Sequence, residues 1–169
     1  TTMIESYKKV LEQIKEYDTP IDLSTMNQDI FLYSVKRYKE KLHEQIHVEN
    51  RTIALREPLA DLYETLFNIT IICLNMLHIL TAKSKQEIME ENELLFCRKN
   101  EDYGNSFEDF GLTAVIIRMN DKINRIISLL EKKREGNVKD ERIEDTISDL
   151  YNYGVIGLMY KNKVDLKNK

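Results

Sequence analysis

Tryptophan is missing from this 169-residue chain, and proline (two), cysteine (two), histidine (three) and glycine (five) are scarce. So few prolines and glycines leave little of the turn punctuation that a sheet-rich fold needs, and long uninterrupted helices are favoured. The two cysteines, Cys73 and Cys97, lack CxxC spacing, which argues against a zinc site or a disulfide framework and for buried reduced thiols. A cytoplasmic location is the default expectation. The histidines His43, His47 and His78 are isolated from one another, and none is assigned a catalytic role. Excess basic charge is lacking too: a net charge of −4 and a pI near 5.5 argue against direct nucleic-acid binding, which must neutralise several phosphates. No opening segment resembles a signal peptide. The most apolar stretch, 66–80, carries Asn68, Asn75 and His78 and falls short of the roughly 20 residues that span a bilayer. It reads as a buried core helix, and no membrane partner is expected.

What is present is the material of a folded protein: 42% hydrophobic and 32% charged residues, enough for one all-α domain over 1–169. Thr2 and Glu5 have capping-box spacing ahead of Ile4, Tyr7, Leu11 and Ile14, predicting a helix over 3–17. Thr25 and Gln28 predict a second over 25–48, with Ile30, Tyr33, Tyr38, Leu42 and Ile46 among its apolar positions. A third runs through Leu80, its start blurred by Pro58. Ser84 and Glu87 open a fourth over 85–99. Residues 100–111 lack a clean period and contain two glycines, so they read as a loop with room for a short helical turn over 107–110. Val115, Met119, Ile123, Ile126 and Leu130 mark a fifth helix to Arg134, closed by Glu135-Gly136-Asn137. Asp140 can cap a sixth, with Ile143, Ile147, Leu150, Gly154 and Leu158 as its seam and a frayed tail from Lys161. Six helices with short connections make a bundle. The segments Glu57-Pro-Leu-Ala-Asp61-Leu-Tyr63 and Asp145-Thr-Ile-Ser-Asp149-Leu-Tyr151 match in acid spacing and ending, which suggests an old helix-hairpin duplication.

Residues three, four or seven apart share a helix face. Glu57, Asp61, Glu64 and Asn68 form one such face, and Asp145, Asp149 and Asn152 another. Carboxylates converging inside a bundle need cations to neutralise them, and Mg²⁺, a hard ion that bridges carboxylate and phosphate oxygens, is the natural candidate. The plain alternative is two solvated faces. Arg118, Lys122 and Arg125, with Asp121 beside them, form a basic stripe suited to phosphate, or else to surface ion pairs. In the run Lys99-Asn100-Glu101-Asp102-Tyr103-Gly104-Asn105-Ser106, Tyr103 could stack on a base. Gly104 could admit backbone close to a ligand, and Asn105 and Ser106 could hydrogen-bond a base or sugar. The same residues are also ordinary turn chemistry.

Three blocks stand in order over about 85–160: Lys99-x-x-Asp102-Tyr103-Gly104-Asn105-Ser106, Asp121-Lys122-x-x-Arg125, and Asp145-Thr146-x-x-Asp149-Leu150-x-Asn152-Tyr153. Together they resemble the family called nucleotide modification associated domain 1, common in bacteria and their phages. Its helical layout is similar to that of the all-α nucleoside triphosphate pyrophosphatases of the MazG and dimeric dUTPase type. On that resemblance the function would be Mg²⁺-dependent hydrolysis of a (deoxy)nucleoside triphosphate to monophosphate and pyrophosphate. Asp61, Glu64, Asp145 and Asp149 would hold metal, Glu57 would orient water, and Lys122 and Arg125 would stabilise phosphate charge. Lys99, Asp102, Tyr103, Gly104, Asn105, Ser106, Arg118, Asp121 and Asn152 would bind substrate. Asp149 falls on the final acid of the second pyrophosphatase motif, but Thr146 occupies its first position, with Asp145 displaced by one. The related pyrophosphatases assemble helices from two or more subunits, so the resemblance also implies a homo-oligomer such as a dimer, unless an internal duplication completes the bundle within one chain. The alternatives are a non-catalytic nucleotide-binding or base-modification accessory protein and a phage helical interaction protein.

Overall fold

The computed structural model describes the backbone of residues 2–17, 26–55, 60–134 and 143–167, and the side chains of 2–16, 26–45, 61–99, 111–133 and 143–162. Within these the chain is helical: α1 (Met3–Tyr17), α2 (Gln28–Leu55), α3 (Ala60–Thr81), α4 (Lys85–Arg134) and α5 (Ile143–Lys167). The start of α1 is a reciprocal box: the Glu5 amide donates to Thr2 Oγ1 at 3.2 Å and the Thr2 amide to Glu5 Oε2 at 3.4 Å. At the start of α4, the Glu87 amide donates to Ser84 Oγ at 3.1 Å. The cap of α2 differs from expectation. Asn27 Oδ1 accepts from the Ile30 amide at 2.9 Å, so the helix begins after Asn27, while Thr25 lies outside the described residues. The face of α2 shifts accordingly: Phe31, Leu32, Val35 and Leu42 are buried, whereas Ile30 and Tyr33 are exposed. The expected closing signals 135–137 and Asp140 also lie outside the described residues, as does Pro58. The last helix does not fray at Lys161 but continues to Lys167.

The largest departure is at 100–111. The backbone there is not a loop. It continues α4 to a break at Gly111, whose φ of 61° and ψ of −140° belong to a region that residues with a Cβ avoid. Among the described residues there are thus six helical arms, with α4 contributing 85–110 and 112–134. On a straight helix Lys99 and Lys122 would stand roughly 34 Å apart. Both ammonium groups instead reach one carboxylate, Asp149, at 3.7 Å and 3.0 Å. The two arms therefore close into an acute V about Gly111, and α5 lies along it. Gly111 stands near Tyr160, Val115 near Gly157 and Lys122 on Asp149, so the second arm runs antiparallel to α5.

Helix α3 crosses α5 where both lack bulk. A Cβ at position 154 would overlap Thr70 Oγ1 and stand 3.2 Å from Thr70 Cβ, and one at 157 would meet Leu66 Cδ1 at 3.0 Å. With Thr70 opposite Gly154 and Leu66 opposite Gly157, these helices are also antiparallel. Leu62, Tyr63, Leu66, Ile69, Cys73, Leu74, Met76 and Leu77 of α3 are buried. By length and composition α3 is apolar enough to cross a bilayer, yet half of its apolar window is buried in the fold, as a central helix requires. The repeated Asp-Leu-Tyr has one orientation in both copies: Leu62, Tyr63, Leu150 and Tyr151 point into the core.

Cys73 is fully buried, as expected, while Cys97 is exposed. Burial pushes the Cys73 thiol up, and it does the same to the Tyr151 phenol, with Glu93 and Cys73 adding to the effect. In the unfolded chain these groups ionise near 8.5 and 10, so above those values the unfolded state holds fewer protons than the folded one. The contribution of these two groups is then undiminished below about pH 8.5 and falls as pH rises through the unfolded values toward the raised folded ones, at about 1.4 kcal/mol per pH unit for each proton. Urea titrations at pH 8 and pH 10.5 check this: the midpoint should be lower at pH 10.5, and Cys73→Ala should reduce the difference.

Candidate functional site

Three residues of the family-like blocks, Lys99, Lys122 and Asp149, meet where α5 lies in the V of α4. Asp149 Oδ2 takes Lys122 from the second arm at 3.0 Å, and Asp149 Oδ1 takes Lys99 from the first at 3.7 Å. All three are partly exposed, the Asp149 side chain to 25%. Tyr153 is half-buried one turn along α5 from Asp149. Desolvation raises its phenol first, Lys122 and Arg118 pull it down, and Asp149 and Asp121 push it up. That places Arg118 and Asp121 in the same electrostatic neighbourhood, both exposed, with exposed Arg125 beyond them on the stripe through Lys122. Tyr153 was not among the expected site residues, although its spacing from Asp149 put it on that face.

Asn152 departs from its expected role in substrate binding. It is 1% exposed, and its Oδ1 accepts from Tyr7 OH at 2.6 Å. Its Nδ2 donates to Asn92 Oδ1 at 3.3 Å and to the Asn92 carbonyl at 3.4 Å. Tyr7 stacks on Phe96 with centroids 4.4 Å apart. The Asn152 amide thus joins α1, α4 and α5 from inside the core, where its hydrogen bonds are already spent.

The acidic pairs are not brought together. Thr70 opposite Gly154 in antiparallel helices puts Asp61 and Asp145 at opposite ends, roughly 27 Å apart along the axis, and Glu64 and Asp149 roughly 16 Å apart. Asp61 and Glu64 are exposed on α3, and Glu64 lies close enough to Tyr38 of α2 to help raise its phenol, after desolvation. Asp145 and Glu144 line a cavity of about 390 Å³ with Leu77, Thr81, Lys83, Ile88, Glu91, Asn92 and Ser148. Lys83 already holds Glu91 there at 2.9 Å. Thr146 is buried. Among the described residues no three or more His, Cys, Asp or Glu are placed to hold one metal ion. Asp61, Glu64, Asp145 and Asp149 within one chain therefore do not fit the Mg²⁺ site that the resemblance implied. Glu57 lies outside the described residues, as do the side chains of Asp102, Tyr103, Asn105 and Ser106; the backbone at Gly104 is helical.

Fold and site define an all-α protein with a cation-flanked carboxylate on its surface, built by two helices folded about a glycine. Residues 99–160, which contain both lysines, Asp149, Tyr153 and the Gly111 break, match the model of the family nucleotide modification associated domain 1. No curated protein and no solved structure matches the chain.

Proposed function

We propose that this chain binds the phosphate end of a nucleotide on the face formed by Lys99, Arg118 and Lys122 around Asp149, as a nucleotide-binding protein of a nucleotide-modification system. The observation that carries this reading is the convergence of Lys99 and Lys122, from two arms of one helix, on a single point of the matched segment. Ammonium and guanidinium groups held together on rigid helices are what a phosphate group requires. Tyr153 offers a partly exposed ring beside them for the nucleoside. Hydrolysis to monophosphate and pyrophosphate would call for a metal site, and the four acids spread along α3 and α5 do not supply one in a single chain. The reading is therefore one of recognition, with the phosphates bound by side chains.

The test is titration of each nucleoside triphosphate, with and without Mg²⁺, followed by calorimetry and by pyrophosphate release. Binding that persists in EDTA is expected, and Lys99→Ala combined with Lys122→Ala should weaken it by about tenfold or more. Nucleotide binding that vanishes in EDTA, or steady pyrophosphate release with Mg²⁺, would instead favour the hydrolase that the resemblance implied.

A further inference from the structure

Asp149 is an acid at the centre of a basic site. Its two oxygens are divided between Lys122 and Lys99, which come from opposite arms of α4. A phosphate group carries its charge on oxygens spaced much as a carboxylate's are, and accepts the same donors at the same distances. From this geometry we infer that Asp149 is the site's internal counter-ion: it occupies the position of a ligand phosphate, and a ligand binds by taking one or both lysines from it. This rests on the nucleotide reading above and deepens it by naming the ligand class.

An incoming anion must replace two ion pairs to one carboxylate and then tolerate that carboxylate nearby. A singly charged anion such as chloride or acetate gains no more from the lysines than Asp149 already does. A group carrying two or more charges gains more at each lysine, so the site selects polyphosphates over monoanions. Asp149 then sets a threshold of ligand charge. The V about Gly111 matters here, because it holds the two lysines on separate arms with Asp149 between them. Both lysines and the carboxylate are partly exposed, so the exchange needs no opening of the core. The role differs from metal ligation in a measurable way, since removing a counter-ion tightens anion binding and removing a metal ligand does not.

Inorganic tripolyphosphate is the probe, titrated in EDTA into the full chain, with Asp149→Asn and Asp149→Ser as variants and circular dichroism melts to establish that each is folded. Both variants should bind tripolyphosphate about fivefold to tenfold more tightly than the native chain, and acetate, expected not to compete in the native chain, should begin to compete. Lys122→Ala should weaken binding in either background, while Lys8→Ala, on the solvent face of α1, should not. If the native chain binds and both folded Asp149 variants bind equally or more weakly, Asp149 is not a counter-ion, and the nucleotide reading stands without this inference. If neither the native chain nor the variants bind tripolyphosphate, both fail.

Discussion

Gly154→Ala should lower the stability of the chain by about 3 kcal/mol, at the upper end of what overpacking a core costs. The added methyl has nowhere to go. It would overlap Thr70 Oγ1, which is held in its rotamer by a 2.7 Å hydrogen bond to the Leu66 carbonyl, and would sit 3.2 Å from Thr70 Cβ. Turning the threonine away breaks that bond inside the core, and separating the helices opens space around Leu66 and Gly157. For a chain of this size the melting temperature should fall by roughly 6–12 °C. Thr70→Ala removes the worst overlap at small cost, because its hydroxyl serves only its own helix. The double variant should therefore recover about half of the loss, a coupling that a double-mutant cycle reads directly. Additive effects would mean that α3 and α5 do not meet at this point and that Asp61 and Glu64 are not held apart from Asp145 and Asp149 by that crossing.

Asn152→Ala should cost about 2–4 kcal/mol while leaving the affinity of the folded chain for nucleotide within about twofold. The substitution removes the acceptor of the Tyr7 hydroxyl and the donor to Asn92 Oδ1 in the interior, and it leaves a void between α1, α4 and α5. Tyr7→Phe removes one of these bonds and strands only the Asn152 oxygen, so about 1–2 kcal/mol is expected from it. Thermal melts and calorimetry on both variants separate the two roles that Asn152 could have. A contact to substrate would show as lost affinity with unchanged stability, and a core bond shows as the reverse.

Asn152 also shows how far the residue pattern reached. Its spacing from Asp145 and Asp149 suggested a shared polar face, but on α5 the boundary between core and solvent runs between Asp149 and Asn152, with Leu150 and Tyr151 buried beside it. A polar residue at that boundary is read from sequence as exposed unless its partner is known, and Tyr7 lies far away in the chain. The basic stripe was legible because Arg118, Lys122 and Arg125 repeat at helical spacing within one arm. Lys99 was singled out within the first block, but nothing local tied it to Lys122.

The all-α class, the α1 and α4 caps and the buried seam Val115, Met119, Ile123, Ile126 and Leu130 were written in the sequence, because each depends on residues within one or two helical turns. The direction in which α3 passes α5, the closing of α4 about Gly111 and the meeting of Lys99 and Lys122 on Asp149 were decided only by the tertiary structure. Helical periodicity says which side of a helix is apolar and is silent on which helix covers it. A glycine with no clean period around it looks like a loop whether the chain wanders there or folds back as a helix. Distance along the chain then misleads in both directions: lysines far apart in sequence share one carboxylate, and acidic faces of similar pattern lie at opposite ends of the same helix pair.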